Sequence, residues 1–373
     1  MTYIHELPNW PRFTWDSQAL AKDLASVRHK QGRHLGKMEA VGFDLQQEAS
    51  LLALTDDVVN SSAIEGENLN TDEVRSSIAR RLGLDLAGLP KPGREVEGIV
   101  EMTLDATRNH RTPLTAERLF DWHAALFPTG RSGMTRITVA AWRTDAEGPM
   151  QVVSGPMGKE RVHFQAPGAG RLDKEMEAFL AWFASPPSID PVLKAALAHL
   201  WFVTIHPFDD GNGRIARAIT DMALSQSDGS ENRFYSMSAS IEQERKEYHI
   251  QLESAQRGSL DVTAWFAWFL GCLDRAIDDA DRMLGSVLTK AQLWQRINLD
   301  PVNARQRQII NRMLDDFKGY MTTPKYAKLA KCSTDTALRD IRILMDRGIL
   351  IKNPGSGKRT SYRLATPENL DSQ

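Results

Sequence analysis

The sequence predicts a mainly α protein with two small β-hairpins. Three observations carry that expectation. Apolar residues recur at three- and four-residue spacing through most of residues 17–283, strand-like stretches are confined to residues 151–164 and 349–364, and turn residues separate the helical segments. With 373 residues, 42% of them apolar, the chain is long enough for two or three domains with proper cores.

The elements follow in order. Trp10-Pro11-Arg12-Phe13-Thr14-Trp15 reads as a packing arm, and a helical pattern starts at Ser17. Leu51, Leu52, Val58 and Val59 continue an apolar helix face, and Gly66 weakens that helix just after Glu65. Helices are expected over 71–82 and 93–109, separated by a glycine and proline turn at 88–93. Thr115 suits the cap of a helix running through Leu126. Residues 136–164 lack helical periodicity; Gln151-Val152-Val153 and Arg161-Val162-His163-Phe164 read as a hairpin around Ser154-Gly155-Pro156-Met157-Gly158. Helical spacing returns over 174–184 and 191–205, where Val192, Leu193, Ala196, Leu197, Leu200 and Trp201 share a face, and again over 214–224, 241–256 and 262–283. A linker near 285–301 is expected next. Beyond it, Thr323-Pro324 starts a short helix, Ser333 caps another over 334–347 that Gly348 ends, and strands at 349–352 and 360–364 flank Asn353-Pro354-Gly355-Ser356-Gly357. That order resembles a winged helix-turn-helix. The expected divisions are 1–114, 115–285 and 302–365.

Charge is unevenly spread. Residues 302–365 hold 14 Lys and Arg against 5 Asp and Glu, a local +9, while the whole chain is at −2, so the remainder carries about −11. The tail is thus a candidate for binding DNA or a protein partner, and the main body is not a polyanion binder. Arg339, Arg342 and Arg347 alternate with Asp335, Asp340 and Asp346, so a solvated mixed-charge face fits the tail equally well. Only Cys272 and Cys332 are present, without metal or disulfide spacing, which points to a reducing cytoplasm. Neither an export signal nor a membrane span is expected; the longest apolar run, 264–273, is too short.

The chemistry concentrates in His206-Pro207-Phe208-Asp209-Asp210-Gly211-Asn212-Gly213-Arg214-Ile215-Ala216-Arg217. Gly211 and Gly213 let backbone N–H groups approach an anion at the start of a helix. Arg214 and Arg217, three residues apart, share a helix face and can grip neighbouring phosphates. Asp210 is placed to hold Mg²⁺ together with phosphate oxygens, and His206 suits a general base near neutral pH. Phe208, a lone apolar residue in a polar loop, is expected to anchor it in the core. The fragment from Gly211 to Ala216 also satisfies GxGxxA, a dinucleotide fingerprint, which would need a preceding strand inside a βαβ unit; Trp201-Phe202-Val203-Thr204-Ile205 admits that reading, although its surroundings are helical. Gly355-Ser356-Gly357-Lys358-Arg359 has only part of a P-loop and reads as a wing turn. The other histidines, His163 and His199 among them, show no ligand spacing and are read as structural.

Written HxFx(D/E)GNGRxxR, the twelve-residue run resembles the active-site motif of the Fic family at every fixed position, and Ser61-Ser62-Ala63-Ile64-Glu65-Gly66 resembles that family's inhibitory motif (S/T)xxxE(G/N). The resemblance extends over roughly 1–285 and implies a Fic-type helical core whose β-hairpin, the flap, holds a target backbone by strand pairing. It implies transfer of AMP from ATP to a Ser, Thr or Tyr hydroxyl of a protein, itself included. His206 would be the base, Asp210 the Mg²⁺ ligand, Gly211, Asn212 and Gly213 the anion hole, and Arg214 and Arg217 the phosphate ligands. Glu65, placed by a helix that also carries Ser61, would form a bidentate pair with Arg217 in the inhibited state; Glu67 is the competing carboxylate nearby. Tyr248 and Leu252, one helical turn apart, are candidates for the adenine pocket. A homodimer is the expected assembly. Two other readings stay open: removal of AMP with Glu65 positioning a water, and a DNA-binding regulator with a nucleotide-sensing site, against which the intact base His206 argues.

Overall fold

The computed structural model describes residues 2–84, 90–146, 148–155, 159, 161–298, 302–314, 319–354 and 360–365. The turn residues 88–89, the hairpin residues 156–158 and the wing residues 355–359 lie outside them. The chain divides into two units, Met1–Asp281 and Arg282–Gln373.

The first unit is helical, as its periodicity predicts. Its N-terminal helices are α1 (Ser17–Ala40), α2 (Phe43–Ile64), α3 (Thr71–Arg81) and α4 (Arg94–Arg108), followed by α5 (Ala116–Leu126). Caps set several of the starts: Asn70 accepts from the Asp72 and Glu73 amides, and Thr115 accepts from the Arg118 amide. Two antiparallel ribbons come next, β1 (Arg131–Ser132) with β2 (Thr135–Arg136), and β3 (Gln151–Ser154) with β4 (Arg161–Gln165). The second ribbon is the expected hairpin, with a bulge between Val152 and Val153. Helices α6 (Leu172–Ala184), α7 (Pro191–Ile205), α8 (Asn212–Asp228), α9 (Met237–Gln243) and α10 (Arg245–Arg257) follow, and α11 (Thr263–Asn298) starts in this unit and continues past Asp281.

Helix α7 sits at the centre, every residue from Val192 to Ile205 buried, so it is apolar all round rather than along one face. This also removes the dinucleotide reading, since 201–205 is helix and not strand. The aromatic arm closes over the α7 end of the core: Trp10 and Phe13 pack edge-on against Trp201, and Trp10 Nε1 donates to Glu175 at 2.8 Å.

Two expected boundaries are corrected. The helix expected over 241–256 breaks at Glu244, which leaves helical geometry (φ −117°, ψ 30°) and pairs with Arg275. The linker expected at 285–301 is helical through Asn298, because the single Gly285 is tolerated and Leu284 and Val287 continue the buried spacing.

The second unit contains α12 (Ala304–Leu314), β5 (Met321–Thr322), α13 (Thr323–Leu329), α14 (Thr334–Asp346), β6 (Leu350–Lys352) and β7 (Ser361–Leu364), its strands ordered β5-β7-β6. Tyr326, Ile341, Leu344 and Ile310 form its separate core. Ser333 caps α14, and Gly348 follows it with φ 67°, both as expected; α12 and β5 had no sequence signal strong enough to read.

Candidate active site

The loop between α7 and α8 is shaped by its own residues. His206 ends α7 in the left-handed region (φ 51°, ψ 59°). Phe208 is fully buried and stacks on His123 at 4.2 Å, so it is the anchor the sequence suggested. The Asn212 amide clips the loop back on itself, accepting from the Phe208 N–H at 3.0 Å and donating to its carbonyl at 2.8 Å. Gly211 has φ +80°, and a Cβ there would lie 2.9 Å from the Phe127 ring.

Residues far away in sequence brace this loop, and sequence reasoning missed them. Buried Arg143 donates from Nε to the His206 carbonyl at 2.8 Å and from Nη2 to the Pro167 carbonyl at 2.5 Å, while its amide donates to the Pro207 carbonyl. His123 Nδ1 accepts from the Ala140 amide, which leaves Nε2–H to donate to the Asp210 carbonyl at 3.2 Å. Both are single residues, His123 on α5 and Arg143 in the loop between β2 and β3, with no spacing that would have marked them.

The tautomer of His206 is set by its own helix. A carbonyl can only accept, so Nδ1, 3.1 Å from the Val203 oxygen, carries the hydrogen and Nε2 keeps its lone pair. Burial pulls the pKa down to about 4, so the ring is neutral at pH 7. The Asp210 carboxylate accepts from the Gly211 amide at 2.6 Å and from the Ser132 hydroxyl of β1. Among the described residues no group of three or more His, Cys, Asp or Glu side chains could hold a metal alone. One carboxylate beside phosphate oxygens is nevertheless a donor set that fits Mg²⁺.

Both arginines of α8 are buried, and both are occupied by the last turn of α2 and the residues that follow it. Arg217 donates from Nε to Ser61 Oγ at 2.9 Å and from Nη2 to the Ser61 carbonyl and Glu65 Oε1, each at 2.8 Å. The expected bidentate pair is therefore single-armed, because Ser61 takes the second edge of the guanidinium. Nη1 of Arg217 is buried without a hydrogen-bond partner among the described residues. Glu65 also lies directly on the backbone of Gly213, where a Cβ would come 2.1 Å from Oε1. Burial would raise the Glu65 pKa, but the charge and hydrogen bond of Arg217 outweigh it and hold the carboxyl below its ordinary value.

Glu67 is no bystander. Its Oε2 accepts from Arg214 Nη1 at 2.7 Å, while the Arg214 guanidinium lies over the Phe127 ring. Burial and the neighbouring Asp210 and Glu65 charges raise the Glu67 pKa despite Arg214. Tyr248 is buried, its hydroxyl 2.9 Å from His199 Nε2, and His199 Nδ1 lies 2.9 Å from Thr220 Oγ1; His199 is structural, as expected. Tyr248, Leu252, Glu65, His206 and Gly213 line one cavity of about 440 Å³, closed on another side by Val152 and Val153 of β3.

Comparison with known proteins bears on this site. Residues 113–224 match the family model described as the Fic/DOC family, and residues 3–84 match one described as a domain of unknown function, DUF4172. Over 114 residues the chain is 34% identical to a protein adenylyltransferase Fic of Nematostella vectensis and 32% identical to one of Culex quinquefasciatus. The stretch covers 30% of this chain but 25% and 21% of those proteins, so the chain spans about a quarter of the length of the curated relatives it matches. The fold is similar to that of a Fic family protein from Desulfovibrio desulfuricans, with a TM-score of 0.55 and 21% identity over 95% of this chain and 98% of that one. It is also similar to a Fic domain containing signaling protein from Bacteroides thetaiotaomicron, with a TM-score of 0.52 and 17% identity over 70% of this chain and 98% of that one.

Proposed function

From the Fic domain carried by residues 113–224, we propose that this chain is a protein adenylyltransferase, moving AMP from ATP to a Ser, Thr or Tyr hydroxyl of a protein and restrained by its own α2 segment. The observation that carries the reading is the tautomer of His206: Nδ1 is committed to the Val203 carbonyl, which leaves Nε2 as the neutral acceptor of a residue that lines one cavity with Gly213 of α8.

The hydroxyl oxygen attacks the α-phosphorus as His206 Nε2 takes its proton, and pyrophosphate leaves in line. The backbone at Gly211, Asn212 and Gly213, at the positive end of α8, receives the developing phosphate charge. The side chain of Asn212 is already committed to Phe208, so only its backbone serves the anion. Asp210 would hold Mg²⁺, which neutralises phosphate charge when bound. Arg214 and Arg217 bind the phosphate chain, and the buried Nη1 of Arg217 needs such an acceptor. Tyr248 and Leu252 line the side of the cavity that would take adenine.

Restraint follows from the same contacts. A carboxylate on Gly213 and Arg217 occupies the place of a phosphate, and like charges exclude the triphosphate from it. Glu65→Gly is expected to raise incorporation of labelled AMP by tenfold or more on the order of one lost ion pair to a buried guanidinium; His206→Ala in that background is expected to abolish incorporation while ATP still binds. Near-normal transfer by His206→Ala would remove the base from its role. Reverse AMP removal draws on the ionised Glu65 beside His206, and its loss in Glu65→Gly, measured on a pre-modified protein, would favour that reading.

A further inference from the structure

The seam between α2 and α8 continues past Arg217. On α2, Asp57, Ser61 and Glu65 stand at four-residue steps and share one face; on α8, Gly213, Arg217 and Asp221 do the same. Glu65 meets Gly213 and Arg217, Ser61 meets Arg217, and one turn further along both helices Asp57 meets Asp221. That last contact sets carboxyl against carboxyl, and both residues are buried. The groups around them are Asp56 on α2, Arg217 and Asp228 on α8, and Arg233 and Tyr235 in the segment before α9. From the start of α9 come two neutral donors: the Ser236 hydroxyl and the Ser238 amide give Asp57 Oδ1 hydrogen bonds of 2.7 and 3.1 Å.

Charge balance requires a proton here. Arg233 donates to Asp221 at 2.9 Å and stands 3.6 Å from Asp228, so three carboxyl groups surround one guanidinium, while Arg217 is already paired with Glu65. Fully ionised, the cluster would leave uncompensated negative charge out of water. A hydrogen bond between two carboxyl groups likewise needs a hydrogen on one of them. Asp228 receives the Tyr235 hydroxyl at 2.9 Å and the Gln31 amide, and Asp57 receives its two donors from α9. Asp221 has Arg233 as its one donor among the described residues. Burial and then the Asp57 charge push the Asp221 pKa well above the ordinary carboxylate value, against the pull of Arg233 and Arg217, so Asp221 carries the proton and donates to Asp57. Burial and the Asp57 charge also push Asp56 up to about 6, but adjacent helical positions point about 100° apart, which takes Asp56 off the seam.

We propose that Asp57 and Asp221 form a proton-operated latch on the inhibitory helix: with the proton in place α2 is held against α8 and Glu65 covers the nucleotide site, and with the proton lost two like charges drive the helices apart and uncover it. This rests on the reading of Glu65 as the restraint on that site. A carboxyl whose pKa is raised in the closed state stabilises closure below the raised value, and the stabilisation is lost as pH rises through it. Closure is thus held in acid and released in alkali, and one proton changes the closure constant by up to about tenfold per pH unit. His206, already neutral above about pH 4, does not titrate in that window.

The test uses the full chain with His206→Ala, which binds ATP without consuming it, titrated with ATP and Mg²⁺ by calorimetry with and without Glu65→Gly. The ratio of the two dissociation constants at each pH measures closure and cancels the ionisation of ATP itself. It is expected to fall by more than about tenfold between about pH 6 and about pH 9.5. Asp57→Asn, whose amide donates to Asp221 at every pH, is expected to hold the ratio at its acid value, while Asp56→Asn leaves the fall in place. A ratio well above one that does not change with pH overturns the latch and leaves Glu65 in its role. So does a fall that persists in full with Asp57→Asn, since another group would then be titrating. A ratio near one at every pH overturns both the restraint and the latch. If Asp57→Asn does not fold, amide hydrogen exchange on the unaltered chain, corrected for the intrinsic rate at each pH, decides the matter. Loss of protection in α2 but not in α7 as pH rises supports the latch, and equal behaviour of the two helices overturns it. AMP incorporation is read separately on Glu65→Gly with His206 intact; its absence takes down the transferase reading and leaves the latch standing.

Discussion

At the scale of single residues, His206 combines a left-handed backbone, costing about 1 kcal/mol for a residue with a Cβ, with a pKa drawn down to about 4 by burial. The sign of that shift sets the pH dependence. A depressed value keeps the base neutral as pH falls through 6.5, so the acid limb of kcat/KM in Glu65→Gly is expected near pH 4. A limb centred near 6.5 would mean that the imidazole acts from a solvated position. Glu67 gives a second test. Its pair with Arg214 is half exposed on the carboxylate side, so it is worth at most about 1 kcal/mol, or about fivefold. Glu67→Gly alone is expected to raise AMP incorporation by no more than that, and Glu65→Gly with Glu67→Gly to exceed either single change. No effect of Glu67→Gly in either background would leave Arg214 free of restraint.

At the scale of elements, α4 and α5 touch backbone to backbone. A Cβ at Gly98 would stand 1.8 Å from the Ala125 carbonyl oxygen, an encounter no side-chain rotation relieves. Gly98→Ala is expected to cost about 2–3 kcal/mol, read as a lower denaturant midpoint, and to weaken transfer because α5 carries His123 beneath the loop. An unchanged midpoint would mean that the two helices slide apart freely. These contacts also show what a sequence can and cannot reveal. Helices with a capping residue and an apolar stripe, such as α3, α5 and α14, were legible at both ends. The break at Glu244 was not, since neither glycine nor proline marks it and the preference comes from its partner Arg275. The short β1 and β2 ribbon, whose Ser132 reaches Asp210, is too brief to leave a pattern. Within the site, the twelve consecutive residues were legible because they lie side by side. Arg143 and His123 are brought to the loop only by folding.

At the scale of the whole molecule, the second unit changes how its charges read. Asp340 is not on a mixed solvent face: it is buried, paired with Arg305 at 3.2 Å, and leaves Arg339 and Arg342 exposed on α14. Titration of the full chain with duplex DNA is expected to give an affinity that falls as salt rises, with Arg339→Ala and Arg342→Ala each lowering the slope of log affinity against log salt by about 1. Absence of binding at low salt would leave this unit as a protein-docking module. Transfer of AMP is expected to be the same with either substitution, since every residue assigned to chemistry belongs to the first unit.

Glu65, Glu67 and the two arginines they pair with belong to one chain, so the proposed restraint would be unimolecular. Diluting the protein leaves the fraction of covered sites unchanged, whereas nucleotide competes by mass action for the same guanidinium groups. On the proposed reading, occupancy of the site would follow the ATP concentration relative to the Kd of the open site multiplied by one plus the closure constant, so a carboxylate held in place by folding would turn a metabolite level into a rate.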